Sequence, residues 1–129
     1  MDIVGLGTDI VELRRIEAVM TRFARQFRER IYTPAELALA ESKNNHIAYF
    51  AGRWAAKEAV SKALGCGIGE ACAFTDIEIL NDEKGRPVMT LANAAKRTAA
   101  ALNVDSIKIS ISHENKYAVA TVILCSKES

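Results

Sequence analysis

The run from Phe50 to Gly65 constrains this chain more than any other. It is free of proline, rich in alanine, and reads as one helix with two unlike faces. At about 3.6 residues per turn, Trp54, Lys57, Glu58, Ser61, Lys62 and Gly65 fall on one side. Ala55, Ala56, Ala59, Val60 and Ala63 fall on the other, with Leu64 at its edge. A face of alanines has little side-chain thickness, so the helix should lie close against a sheet or another helix. The opposite face is expected to present Glu58, Lys57 and Lys62 beside Trp54. Glu58 can bind a hard metal ion, and Lys62, one turn on, can hold an anion next to it. That combination suits a magnesium–phosphate ligand.

The rest of the chain bounds what such a helix can serve. A length of 129 residues is enough for one domain with a real core, expected here over residues 1–129. The formal net charge is only +1, which argues against a nucleic-acid binder. No apolar run is long enough to cross a membrane. Asp2 stands where a signal peptide needs basic residues, so a cytoplasmic protein is expected. Cys66, Cys72 and Cys125 are odd in number and lack metal-ligand or redox spacing, and read as reduced thiols.

Ile3 to Ile10 reads as a first strand ending at Asp9, in a glycine-flanked position open to a ligand. From Glu12 the spacing turns helical, with Leu13, Ile16, Val19, Met20, Phe23 and Phe27 on one side. Thr33-Pro34-Ala35-Glu36 predicts a capping box and a short helix ending near Lys43. The long helix follows from about His46, and Gly65, Gly67 and Gly69 stop it. Thr75–Leu80 alternates as a half-exposed strand, turns at Asn81–Gly85 and returns over Val88–Leu91. Ala92–Leu102 reads as a helix. Ile107–Ser112 and Tyr117–Leu124 read as a last hairpin turning at Asn115-Lys116. Antiparallel pairs with helices grouped between them make an α+β fold: a small antiparallel sheet with helices packed on one side.

Taken singly, the chemical residues have ordinary readings. Asp9 would be a turn residue, Glu58 one half of a helix ion pair with Lys62, and His113 an exposed strand-end histidine. The glycines after the helix match neither a phosphate loop nor a dinucleotide fingerprint. Arg14, Arg15, Arg22, Arg25, Arg28 and Arg30 crowd the first helix with Glu12, Glu17 and Glu29 between them, as on a solvated face. The preference for arginine over lysine also suits pairing with an acidic protein.

Together the residues form a pattern. Gly7-Thr8-Asp9-Ile10-Val11-Glu12, then Arg53-Trp54-Ala55-Ala56-Lys57-Glu58-Ala59 with Lys62-Ala63-Leu64-Gly65, then Ser110-Ile111-Ser112-His113, resemble the holo-acyl-carrier-protein synthases. These are the short, bacterial-type 4′-phosphopantetheinyl transferases, and the resemblance spans nearly the whole chain. Cys66 departs from it, since threonine is common there. The resemblance implies Mg²⁺-dependent transfer of 4′-phosphopantetheine from coenzyme A to a serine of apo acyl carrier protein. It implies release of 3′,5′-ADP, a role in fatty acid biosynthesis, and a homotrimer with sites between subunits. By the same resemblance Asp9 and Glu58 are the metal ligands and Lys62 meets a phosphate or the reacting centre. Arg53 and His113 hold coenzyme A phosphates, and Gly65 and Gly67 let the backbone approach the ligand. Arg15, Arg22 and Arg25 face the carrier protein. The acceptor of the serine proton stays open between Glu58, through a bound water, and Lys62. A pure binding module would not need the acidic pair, and a nucleotide diphosphate hydrolase would not need the arginine-lined helix.

Overall fold

A computed structural model describes residues 1–127. The elements run β1 (Asp2–Glu12), α1 (Leu13–Ile31), α2 (Pro34–Ala40), α3 (His46–Ala63), β2 (Ile77–Asn81), β3 (Pro87–Leu91), α4 (Asn93–Ala101), β4 (Ser106–His113) and β5 (Tyr117–Ser126). The strands form two antiparallel sheets, β1-β5-β4 and β2-β3. The hairpin between β4 and β5 is closed by Glu114, whose Oε1 accepts from the amides of Lys116 and Tyr117 at 2.7 and 2.9 Å. Its register sets Ser110 opposite Thr121, and Asp9 of β1 lies opposite Ala120.

Strand alternation divides the larger sheet into two faces. Gly7 and Val11 of β1, with Ala118, Ala120, Val122 and Leu124 of β5, are buried on the inner face. Leu6, Ile10, Tyr117 and Val119 are exposed on the outer one. Against the inner face lies α3, with Ala55, Ala56, Ala59 and Val60 fully buried. The approach is backbone to backbone. A Cβ on Gly7 would stand 1.9 Å from the carbonyl oxygen of Ala59, and one on Gly5 would stand 2.3 Å from that of Ala63. These glycines therefore admit the helix, not a ligand, and Asp9 lies inside β1, which continues to Glu12.

The charged face expected of α3 is not wholly turned to solvent. Lys57 is fully buried, and so is Ser61. The Lys57 ammonium donates to Glu36 Oε1 at 2.6 Å, to the carbonyls of Ile31 and Ile77 at 2.7 Å each, and to that of Phe74 at 3.0 Å. Glu36 also accepts from the Thr33 amide at 2.9 Å, completing the expected capping box, and from the Ile79 amide at 2.8 Å. A buried ion pair survives when its remaining hydrogen-bonding capacity is met in this way.

Three smaller expectations are corrected. Past Ala40 the backbone tightens to bonds such as Lys43 N to Ala40 O, so α2 ends before Lys43. The stripe on α1 buries Leu13, Ile16 and Met20, but the backbone leaves helical geometry at Phe23 (φ −126°, ψ 34°), which is 46% exposed. Asp76 precedes β2 and is buried, because its carboxylate accepts from the amides of Ala73 and Ala95 at 3.1 and 3.2 Å.

The contact of β1 with α3 generates a stability prediction. Replacing Gly7 with alanine forces the two backbones apart. The expected loss is roughly 1–3 kcal/mol, the usual scale for overpacking, read as a lower urea midpoint. A midpoint equal to that of the unaltered protein would mean that Gly7 does not seat the helix.

Candidate active site

On the inner face of β1, position 9 follows positions 5 and 7. Because Gly7 meets Ala59 and Gly5 meets Ala63, Asp9 emerges beside the next residues along the helix surface. The Lys62 ammonium donates to Asp9 Oδ1 at 2.7 Å and to the Thr8 carbonyl at 3.2 Å. Asp9 Oδ2 is buried and, among the described residues, is the sole buried side-chain nitrogen or oxygen with no hydrogen-bond partner. Glu58 is half-buried close by. Burial first, and then the negative charge of Asp9, raises its carboxyl above the usual glutamate range, while Lys62 pulls the other way. The structure thus brings Asp9, Glu58 and Lys62 together.

This donor set fits a magnesium ion. An unpartnered buried carboxylate oxygen and a second carboxylate that feels its charge are groups a cation would satisfy. Among the described residues no group of three or more His, Cys, Asp or Glu side chains could hold a metal. A site of two carboxylates suits an ion that keeps water and borrows ligand oxygens better than one enclosed by protein.

A second concavity lies at the other end of α3. A cleft of about 290 Å³ is lined by Lys43, Asn44, Tyr49, Arg53 and His113 among others. Arg53 and His113 are therefore brought to one place. Arg53 is buried, with Nε 3.3 Å from the Ile79 carbonyl, Nη2 2.9 Å from Asn81 Oδ1, and its guanidinium 4.5 Å above the Tyr49 ring. It braces β2 as well as lining the cleft. His113 is exposed at the end of β4, opposite Ala118. Asp9, Glu58 and Lys62 do not line this cleft. Arg53 stands five positions before Glu58, about 7.5 Å of helix rise.

Gly65 and Gly67 have φ of +82° and +68°, and nothing lies within 4 Å of where a Cβ would be. Their first requirement is the left-handed backbone that ends the helix, and the space beside them is open. Arg15, Arg22 and Arg25 are exposed on α1. Arg22 lies 5.0 Å over the Phe23 ring, and Arg25 pairs with Glu29 at 2.9 Å. Lys43 and Asn44 escaped sequence reading because a lysine before an asparagine pair looks like any turn. Asn45 does act as a cap, accepting from the Ala48 amide at 3.0 Å.

The raised carboxyl of Glu58 has a signed consequence. A group that binds its proton more tightly in the folded state than at the ordinary 4.5 costs stability when ionised. That cost is relieved as pH falls through the folded value toward the unfolded one. Glu58→Gln is therefore expected to be more stable than the parent at pH 7, with the difference shrinking through that acid window. Denaturant titrations at several pH values measure it. A less stable variant at pH 7 would mean that Glu58 is held by compensating contacts.

Comparison with known proteins accords with this geometry. Residues 5–122 match the model of the 4′-phosphopantetheinyl transferase superfamily. A holo-[acyl-carrier-protein] synthase of Vibrio atlanticus is 47% identical over 124 residues, covering 96% of this chain and 98% of its relative. The crystal structure of the Neisseria meningitidis holo-[acyl-carrier-protein] synthase superposes with a TM-score of 0.90 at 35% identity, covering 97% of this chain and all of that one. The Helicobacter pylori synthase, crystallised in complex with coenzyme A, gives a TM-score of 0.83 at 39% identity over 93% of this chain and 99% of its own. The chain belongs to the holo-[acyl-carrier-protein] synthase family of the 4′-phosphopantetheinyl transferase superfamily.

Proposed function

We propose that this protein transfers the 4′-phosphopantetheine arm of coenzyme A to a serine of apo acyl carrier protein. Transfer requires Mg²⁺, releases 3′,5′-ADP and supports fatty acid biosynthesis in the cytoplasm. The observation that carries the reading is the unpartnered buried Oδ2 of Asp9 beside Glu58, with Lys62 on the other carboxylate oxygen. The names of the relatives and the coenzyme A in the Helicobacter pylori structure support the choice of ligand.

In this reading the serine oxygen attacks the phosphorus that carries pantetheine. The bond from that phosphorus to the oxygen of 3′,5′-ADP breaks. Asp9 and Glu58 hold the magnesium ion, which when bound neutralises charge on the diphosphate. Lys62, half-exposed and already bonded to Asp9 and the Thr8 carbonyl, offers its remaining ammonium hydrogen to a phosphate oxygen. The remote phosphate sits in the cleft of Arg53 and His113, where Lys43 adds an ammonium group. Gly65 and Gly67 leave room beside the helix end for the ligand. Arg15, Arg22 and Arg25 meet the acidic carrier protein.

The exposed outer face of the larger sheet supports a homotrimer. Leu6 is 64% and Ile10 63% exposed, and Tyr117 and Val119 are exposed with them. Apolar side chains exposed together on one sheet face mark an interaction surface. A second copy laid there would cover these side chains.

The direct test is to incubate the protein with coenzyme A, Mg²⁺ and an apo carrier protein, then weigh the carrier. A gain of one phosphopantetheine is expected. Asp9→Ala and Glu58→Ala should each slow transfer by about 100-fold or more, the scale on which a lost charge-stabilising group is felt. No gain despite tight coenzyme A binding would make this a binding module, and cleavage without transfer would make it a hydrolase. The arginine surface has its own readout. Reversing Arg15 and Arg22 to Glu should raise KM for the carrier protein about ten-fold or more, and weaken the salt dependence, while coenzyme A affinity holds. An unaltered KM would return these arginines to the solvated face.

A further inference from the structure

One side chain of the Arg53 cleft has no part in that reading. Asn81, the last residue of β2, is half-buried and lines the cleft beside Arg53. Its Oδ1 accepts from Arg53 Nη2 at 2.9 Å, and its Nδ2 donates to the Gly85 carbonyl at 2.9 Å. The orientation of the amide is unambiguous, because a guanidinium only donates and a carbonyl only accepts. The turn on which Asn81 rests is itself tied. The Gly85 amide donates to the Asp82 carbonyl and the Asp82 amide to the Arg86 carbonyl, each at 2.9 Å. Asp82 Oδ1 accepts from the amides of Lys84 and Arg86, also at 2.9 Å.

Three contacts hold the Arg53 guanidinium, and they restrain different motions. Its Cζ lies 4.5 Å from the centroid of the Tyr49 ring. Attraction to a ring face does not stop the guanidinium from turning within its own plane. The bonds to the Ile79 carbonyl and to Asn81 do. The first is long, at 3.3 Å, and the second is 2.9 Å, so Asn81 supplies the firmer restraint. Both bonds fall on the guanidinium edge that carries Nε. They leave the edge of Nη1 and the second Nη2 hydrogen, a fork that can meet two oxygens of one phosphate.

We propose that Asn81 is a positioning residue for the remote phosphate of coenzyme A: by clamping one edge of Arg53 against β2, it aims the other edge into the cleft and sets a preference for coenzyme A over dephospho-coenzyme A. That role rests on the reading of this cleft as the phosphate's seat. Asn81 adds no charge. It lowers the cost of ordering the guanidinium when the ligand arrives, because the order is already present in the free protein. Without it the guanidinium turns about the one long bond to Ile79, and its fork is aligned only part of the time.

Calorimetric affinities for coenzyme A and dephospho-coenzyme A, measured with Mg²⁺ on the unaltered protein and on Asn81→Ala, separate the outcomes. The unaltered protein should favour coenzyme A. Asn81→Ala should lose about ten-fold in affinity for coenzyme A, the scale of one weakened charge-assisted contact, and almost nothing for dephospho-coenzyme A. Equal losses for both ligands would make Asn81 a brace of the hairpin alone and overturn the positioning role, as would an unchanged preference. No preference in the unaltered protein overturns the reading of the cleft itself, and the positioning role with it. In the unliganded, unaltered protein the Nη hydrogens of Arg53 should give separate NMR signals, as hindered rotation requires. One averaged signal overturns the clamp, whether or not Asn81→Ala folds.

Discussion

The structure depends on how closely α3 can lie on β1. Two glycines on one face of the strand meet two backbone carbonyls of the helix, those of Ala59 and Ala63. No side chain intervenes, so the spacing is set by backbone atoms, which cannot change rotamer. The residues beside the contact inherit its accuracy. Asp9 is two positions beyond Gly7, Glu58 precedes Ala59, and Lys62 precedes Ala63. A trio of charged side chains drawn from two distant parts of the chain is thus positioned by four residues with almost no side chains. Gly52, further up α3, admits a side chain instead: a Cβ there would stand 2.8 Å from Ile111 Cγ2 on β4.

The opposite flank of α3 is held by charge. Lys57 collects carbonyls from the end of α1, the turn before β2, and β2 itself, and Glu36 ties α2 to the same point. Arg53 adds two further bonds to β2, at the Ile79 carbonyl and the Asn81 side chain. Pulling two ions from water costs several kcal/mol each, and the pair is favourable only because nearly every remaining lone pair and proton is used. The gain is orientation. With one flank fixed to the larger sheet and the other to the smaller, Glu58 and Lys62 are left on the strip between.

The same sequence run was therefore legible in one half and opaque in the other. Ala55, Ala56, Ala59 and Ala63 announced a close contact by their size alone, and the capping box at Thr33 announced its helix. Strands, turns and the antiparallel pairing followed from alternation and from Asn, Asp and Gly at the bends. Lys57 was opaque because periodicity assigns a face, not a fate. A lysine on a polar face is ordinarily solvated, and its buried partner Glu36 lay in another helix, already explained as a cap. Gly5 and Gly7 were misread for a related reason: a glycine reports that something comes close without saying what. Asp9, Glu58 and Lys62 were readable as a set only through the family pattern, because no local rule places a strand residue beside a helix some fifty residues on.

What sets the Asp9–Glu58 pair apart from the Lys57–Glu36 pair is what is left unsatisfied. Around Lys57 an internal partner meets almost every polar atom. Around Asp9 one buried oxygen has no partner, and the neighbouring carboxylate is pushed toward its neutral form by burial first and then by the charge beside it. An unmade bond of this kind costs about 1–3 kcal/mol, against a total stability of about 5–15 kcal/mol for a typical domain. A loosely packed scaffold would relax to remove that cost, by turning Asp9 toward solvent or drawing Lys62 fully between the acids. Here it cannot, because the backbones of β1 and α3 are in contact on one side and the buried lysine fixes the helix on the other. The rigidity of those two anchors is what lets the fold keep a buried, unpartnered carboxylate oxygen beside a second carboxylate.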